Sequence, residues 1–149
     1  MGSAAAVSNR PGSAPQASST IGPLVLLGRL FFVLIFLMSA PNHFSRQTIA
    51  YAALQGVPLA SILVPISGVL ALLGGLSILL GYRARIGAWL IVLFLLCVTP
   101  MMHNFWTVTD PMMRQMQMIM FMKNLSMMGG ALLISQFGSG PLSLDSRRR

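Results

Sequence analysis

The sequence predicts an all-α fold: a polytopic membrane protein built as a four-transmembrane-helix bundle with a short outer amphipathic helix. Three observations predict it. Four long apolar stretches, Leu24–Pro41, Val57–Leu80, Ile86–Met102 and Met116–Ser135, are separated by short polar breaks. Each approaches or exceeds the roughly 20 apolar residues a helix needs to cross a hydrocarbon core about 30 Å thick. Asp, Glu, Lys and Arg make up only 8% of the 149 residues, and mean hydropathy is +0.77. A soluble domain has about 25% charged residues, so this chain has too few to cover a water-facing surface. The net charge of +8 is not a nucleic-acid footprint, because the basic residues form no stripe and gather at the predicted helix ends. That placement is the one cytoplasmic loops of membrane proteins favour.

Charge also predicts orientation. With the Met1 end inside, Arg10, Arg29, Arg83, Arg85, Arg147, Arg148 and Arg149 lie inside, against Arg46 and Arg114 outside. Both termini are therefore expected to be cytoplasmic.

Residues 1–22, rich in Ser, Ala, Gly and Pro, are expected to form a disordered tail, since they offer little apolar surface against ordering entropy. The membrane domain is expected over 23–136. Arg29 sits about one turn into the first span, where snorkelling to the headgroups is the expected behaviour. Pro41 and Asn42 end that span. Ser45–Gln55 alternates polar and apolar residues and is read as the short outer helix, closed by Gly56-Val57-Pro58.

The second span is dense in small residues, and Gly68, Ala71 and Gly75 share a face expected to pack on a neighbour. The turn Gly81-Tyr82-Arg83-Ala84-Arg85 is short enough to make spans two and three antiparallel neighbours. The third span carries the single cysteine, Cys97, read as a small core hydrophobe; one thiol excludes cysteine-pair redox relays. An outer loop, Asn104–Pro111, places Phe105 and Trp106 at the interface. The fourth span holds Lys123-Asn124 and Gly129-Gly130, and residues 137–149 are read as a polar cytoplasmic tail. Spans one and three both end in a Pro–His–Phe pattern, and spans two and four both carry a double glycine, which suggests a parallel repeat of two hairpins.

No catalytic motif is present, and whether the chain is an enzyme is left open. The residues with chemical potential cluster by depth. His43 and His103 end the odd spans at similar height, where imidazoles can bind metal, move protons or hydrogen-bond a quinone carbonyl; the competing reading is headgroup and water contact. Lys123 falls inside the fourth span, where a Lys costs about 2.5–3.5 kcal/mol on insertion scales. The acids Asp110 and Asp145 lie outside the spans, so Lys123 snorkels, bonds neutral acceptors or meets a ligand. The candidate binding set is His43, His103, Asn104, Trp106, Lys123 and Asn124. Ten methionines lie between Met101 and Met128; packing is the first reading and soft-metal binding the second. No metal site is assigned.

Several segments together resemble the DoxX family of small four-span bacterial inner-membrane proteins: Gly28-Arg29-Leu30, Gly68–Gly75, Arg85-Ile86-Gly87-Ala88, His103-Asn104-Phe105-Trp106, Lys123-Asn124-Leu125 with Gly129-Gly130, and Gly140–Asp145. The resemblance implies an accessory subunit of a membrane redox system, with a membrane or peripheral oxidoreductase as partner. It also implies that an acid common in span two is replaced here by Ala71. On this reading the outer-half pocket takes a quinone headgroup or a small anion, quinone being the one cofactor considered. The alternatives are small-solute or copper handling, and a structural membrane partner without its own activity. The lipid bilayer is the expected surrounding, a homo-oligomer is an open possibility, and nucleic acid is excluded as a partner.

Overall fold

The structure is a computed structural model that describes residues 18–148. Most of the expected N-terminal tail, and Arg149, lie outside the described residues. Five α-helices follow in order: α1 (Ser18–Ser39), α2 (Arg46–Leu54), α3 (Ala60–Leu80), α4 (Ala84–Met102) and α5 (Pro111–Phe137). Short 3-10 turns occupy Ala40–Phe44, Phe105–Thr107 and Ser146–Arg148. All the long helices except the short α2 are long and apolar enough to cross a membrane, giving four spans. No strand occurs among the described residues. The fold is an all-α polytopic bundle, as the hydropathy pattern predicts.

Helix α3 packs between α1 and α4, and α4 packs between α3 and α5. The α3–α4 seam is glycine-built. A Cβ on Gly74 would meet the Gly87 carbonyl oxygen at 2.9 Å, and one on Gly87 would meet the Gly74 carbonyl oxygen at 2.9 Å and the Ser77 side chain at 2.5 Å. Each backbone rests on the other, the close approach that small residues permit where lipid removes the hydrophobic drive. Ala71, Ala88 and Ala131 continue the principle and are fully buried, with Val33, Phe36, Ile78, Ile91 and Leu95 filling the space between. The small face expected on span two is in contact as read: Gly68 meets His43 and Gly75 meets Leu37.

Helix boundaries shift outward from the expected spans at two places. α1 begins at Ser18 rather than Leu24, so residues 18–22, assigned to the disordered tail, are helical. Pro23 near a helix start removes one hydrogen bond without ending the helix, and the extra turn has a surface to lie on, since Gly22 packs against Leu142. α5 begins at Pro111 rather than Met116, because the Asp110 carboxylate accepts from the Met113 N–H at 2.8 Å and Pro111 occupies the first turn.

Two further readings are corrected. Arg29 does not snorkel: it is 4% exposed, and its Nη2 donates to the Leu142 carbonyl at 2.6 Å. The C-terminal segment is not a free polar tail. Residues 138–145 fold back over the α3–α4 turn, with Leu144 N–H donating to Leu80 O at 3.2 Å and Asp145 N–H to Gly81 O at 2.9 Å. The Asp145 carboxylate then accepts from the Arg83 and Ala84 N–H groups, at 3.0 and 3.3 Å, and so caps α4 from a distance in sequence. The start of α1 and residues 138–145 therefore meet at one side of the bundle, called here the terminal end, and α2 marks the opposite one.

The helix α2 is set by its own cap. Ser45 Oγ accepts from the Thr48 N–H at 3.2 Å and donates to Thr48 Oγ1 at 2.9 Å. Ser45→Ala should destabilise α2 by about 1 kcal/mol, seen as faster hydrogen exchange at the amides of 48–54 with the four spans unchanged.

Candidate functional site

Two prolines interrupt the helix ladders near the α2 end: Pro65 in α3 and Pro100 in α4. Each lacks the N–H for one intrahelical bond, and each has neighbours in the wall of a cavity of ≈ 400 Å³, through Val64 and Ile66 in one case and Met101 in the other. The cavity lies under α2, and α1, α3, α4 and α5 all contribute to its wall. Its lining is mainly apolar. Ile66, Leu93 and Cys97 belong both to the wall and to the exposed surface, so the cavity opens sideways.

Into this apolar space point a few polar groups. His43 follows α1 on the 3-10 turn, and its Nδ1 lies 3.1 Å from the Ser39 carbonyl. A carbonyl only accepts, so Nδ1 carries the proton and a neutral ring leaves Nε2 as an acceptor. Phe94 holds the ring edge-on at 5.7 Å between centroids, and the absence of a side chain at Gly68 gives it room. His103 ends α4, with Nδ1 2.8 Å from Gln117 Oε1 on α5. Both imidazoles are thus fixed by their Nδ1 side.

Lys123 and Asn124 enter from α5. The Lys123 ammonium has the Met120 thioether at 3.4 Å as its acceptor. A thioether is a weak acceptor. Asp110 and Asp145 are engaged as the caps of α5 and α4, so the ammonium forms no ion pair among the described residues. Asn124 is 6% exposed and its amide hydrogen-bonds to no other described residue. The amide therefore has free donor and acceptor capacity at the cavity wall.

Of the six residues singled out from sequence, His43, His103, Lys123 and Asn124 line this cavity, and Asn104 and Trp106 do not. Asn104 uses its carbonyl to accept from Thr107 Oγ1 at 2.9 Å. Trp106 is 55% exposed and meets Phe105 and Phe121 edge-on, with ring centroids at 5.2 and 5.9 Å. Three wall residues carry polarity that sequence reasoning did not weigh for the site: Ser39, Thr48 and Ser67. For Ser39 and Thr48 the signal was present, since each lies about one helical turn from His43. Cys97, read as a core hydrophobe, is exposed at the cavity rim; its neighbours on α4 leave that face to lipid. No group of three or more His, Cys, Asp or Glu side chains that could hold a metal occurs among the described residues.

The chain matches the model of the SURF4 family over residues 15–149. It is 32% identical to the inner membrane protein YphA of Escherichia coli K12 over 126 residues, which is 83% of this chain and 89% of that protein. It is 29% identical to the inner membrane protein YqjF of the same organism over 123 residues, 81% of this chain and 88% of that one. Similarity to the ER-derived vesicles protein ERV29 of Saccharomyces cerevisiae is 28% over 81 residues, 54% of this chain and 26% of the yeast protein. No solved structure matches. The DoxX resemblance is corrected by these findings. Its segments are mostly close-packing glycines and basic turns, which many small helical membrane bundles require. The four spans and the inner-membrane relatives make this a multi-pass inner-membrane protein.

Proposed function

The chain belongs to the SURF4 family, and from that premise we propose that it is a membrane-embedded binding protein for an amphiphilic ligand. The polar head occupies the cavity under α2 and the apolar remainder lies toward the bilayer. One observation carries the reading: His43, His103, Lys123 and Asn124 converge on a space of ≈ 400 Å³ that is otherwise apolar. Few polar groups in an apolar concavity is the general pattern of small-molecule sites. The unpaired ammonium and the unpartnered Asn124 amide favour a head with carbonyl or anionic oxygens. A quinone ring fits that chemistry, with Lys123 and Asn124 donating to one oxygen. A small anion is the competing occupant. Any electron transfer then belongs to the ligand and to an oxidoreductase partner, and both termini are assigned to the cytoplasm by the arginine distribution.

The test is the organic extract of protein purified in mild detergent, analysed by mass spectrometry. Wild type should retain a quinone in substoichiometric or greater amount. Lys123→Met should retain about tenfold less or lower still, because a hydrogen bond to a charged group contributes about 1.5–3 kcal/mol, and Asn124→Leu should retain several-fold less, because a neutral one contributes about 0.5–1.5 kcal/mol. Equal retention by folded wild type and both variants would overturn the site. Extracts free of quinone, with thiosulfate or another small anion raising the melting temperature of wild type but not of Lys123→Met, would move the assignment to the anion.

A further inference from the structure

A second cavity, of ≈ 590 Å³, lies at the terminal end, between the α3–α4 turn and the folded-back segment. We propose that it binds the phosphate of an anionic phospholipid headgroup in the leaflet that this end faces. The proposal is independent of the ligand assigned to the cavity under α2.

Charge is the first argument. Arg83 and Arg85 line the cavity, and its acid is Asp145. Both Asp145 oxygens already accept from backbone N–H groups, those of Arg83 and Ala84, and no ion pair forms to either guanidinium among the described residues. The Arg83 guanidinium lies over the Tyr82 ring at 5.8 Å. Arg85 Nε stands against the opposite wall, 3.6 Å from where a Cβ on Gly138 would be. A third cation, Arg29, lies against the α3–α4 turn and outside the cavity lining. Arg29 Nη1 and Ser143 both close on Gly81, and Arg29 has buried Nε and Nη1 atoms with no hydrogen-bond partner. The cavity thus carries two exposed guanidiniums against one carboxylate whose oxygens are already taken up by backbone N–H groups.

The second argument is a donor without a role. Ser139 lines the cavity, is 6% exposed, and its hydroxyl makes no hydrogen bond to a described residue. A phosphate oxygen in the cavity would accept from it. A third argument sets the source of the phosphate. Ile86 and Phe137 line the same cavity, are 55% and 81% exposed, and end membrane-spanning helices. They offer apolar surface where acyl chains begin, which a free phosphate ion would not use. Basic pockets at the ends of membrane helices are a recurring way of holding anionic headgroups.

The experiment uses full-length protein in a neutral detergent, titrated with short-chain phosphatidylglycerol, short-chain phosphatidylcholine or inorganic phosphate, and read by melting temperature and by native mass spectrometry. Phosphatidylglycerol should raise the melting temperature and persist as an adduct, with phosphatidylcholine at least tenfold weaker. Arg85→Gln, at an exposed side chain, should weaken the anionic lipid about tenfold while leaving the lipid-free melting temperature in place. Ser139→Ala should weaken it several-fold. Equal binding of the two lipids, or equal binding of phosphatidylglycerol by wild type and Arg85→Gln, would overturn the proposal. Inorganic phosphate that displaces phosphatidylglycerol at matching concentration would overturn the lipid as source.

Discussion

Gly87→Ala should lower the melting temperature of the detergent-purified protein more than any other single-methyl change in the spans. The added carbon would sit 2.5 Å from the Ser77 side chain and 2.9 Å from the Gly74 carbonyl oxygen. Neither neighbour can yield cheaply. Ser77 Oγ is held by a 2.7 Å hydrogen bond to the Tyr82 carbonyl, which fixes the α3–α4 turn. The other neighbour is backbone, so relief requires the helices to separate along their whole seam. Overpacking of this kind costs about 1–3 kcal/mol, and a backbone obstacle puts the expectation at the upper end. Gly129→Ala is the matched control, because nothing lies within 4 Å of the position its Cβ would take. There the helix-propensity gain of about 0.5–1 kcal/mol should appear undiminished. The two variants should therefore move melting temperature in opposite directions, followed by the fluorescence of Trp89 and Trp106. A Gly87→Ala protein as stable as wild type would mean that α3 and α4 are not packed glycine to glycine.

The same seam explains what was legible in the sequence. Span number and order follow from hydropathy and length, which depend on each segment separately. The Gly68–Ala71–Gly75 face follows from helical spacing. The bracket of His43 and His103 with Lys123 and Asn124 follows from depth, since residues at equal rise along neighbouring helices meet. Asn104 and Trp106 fall outside the cavity under α2 because they lie beyond the helix end. Their direction is set by the 3-10 turn Phe105–Thr107, and no periodicity predicts that. Arg29 was misjudged for a different reason. Snorkelling assumes water or headgroups at the helix end, and here that volume is filled by the chain's own C-terminal segment. Leu142 supplies the acceptor from 113 residues away, a long-range partner that local composition does not reveal. Gly, Pro and Ser in residues 138–146 look like a tail, yet Ser139 and Ser143 are buried. The family was also out of reach of the motifs, because close-packing glycines and basic turns report membrane-bundle physics before they report ancestry.

Asp145→Ala should release that segment, with the second large effect. Two α4 N–H groups lose their acceptor, and the start of α4 loses a carboxylate favourably placed against its dipole. Bonds to a charged group contribute about 1.5–3 kcal/mol each, and water can replace part of that at a helix end. A net loss of about 2–3 kcal/mol is expected on that basis. The segment is predisposed to leave. Leu142 sits at φ 54°, a left-handed conformation for a non-glycine residue, which costs about 1–3 kcal/mol unless surrounding contacts hold it. Those contacts are the Arg29 bond to its carbonyl and the Asp145 cap three residues on. With the cap gone, hydrogen exchange should accelerate at the Leu144 and Asp145 amides and at the first turn of α4, while the cores of α3 and α5 keep their protection. Asp145→Asn, which keeps an acceptor oxygen but not the charge, should fall between the two. If exchange at Leu144 stays at the wild-type rate in Asp145→Ala, the backbone bonds to Leu80 and Gly81 hold the segment by themselves and the carboxylate serves α4 only. Release would also strip one wall from the terminal-end cavity, so Asp145→Ala should bind phosphatidylglycerol more weakly despite having gained net positive charge. A purely electrostatic surface would respond with the opposite sign.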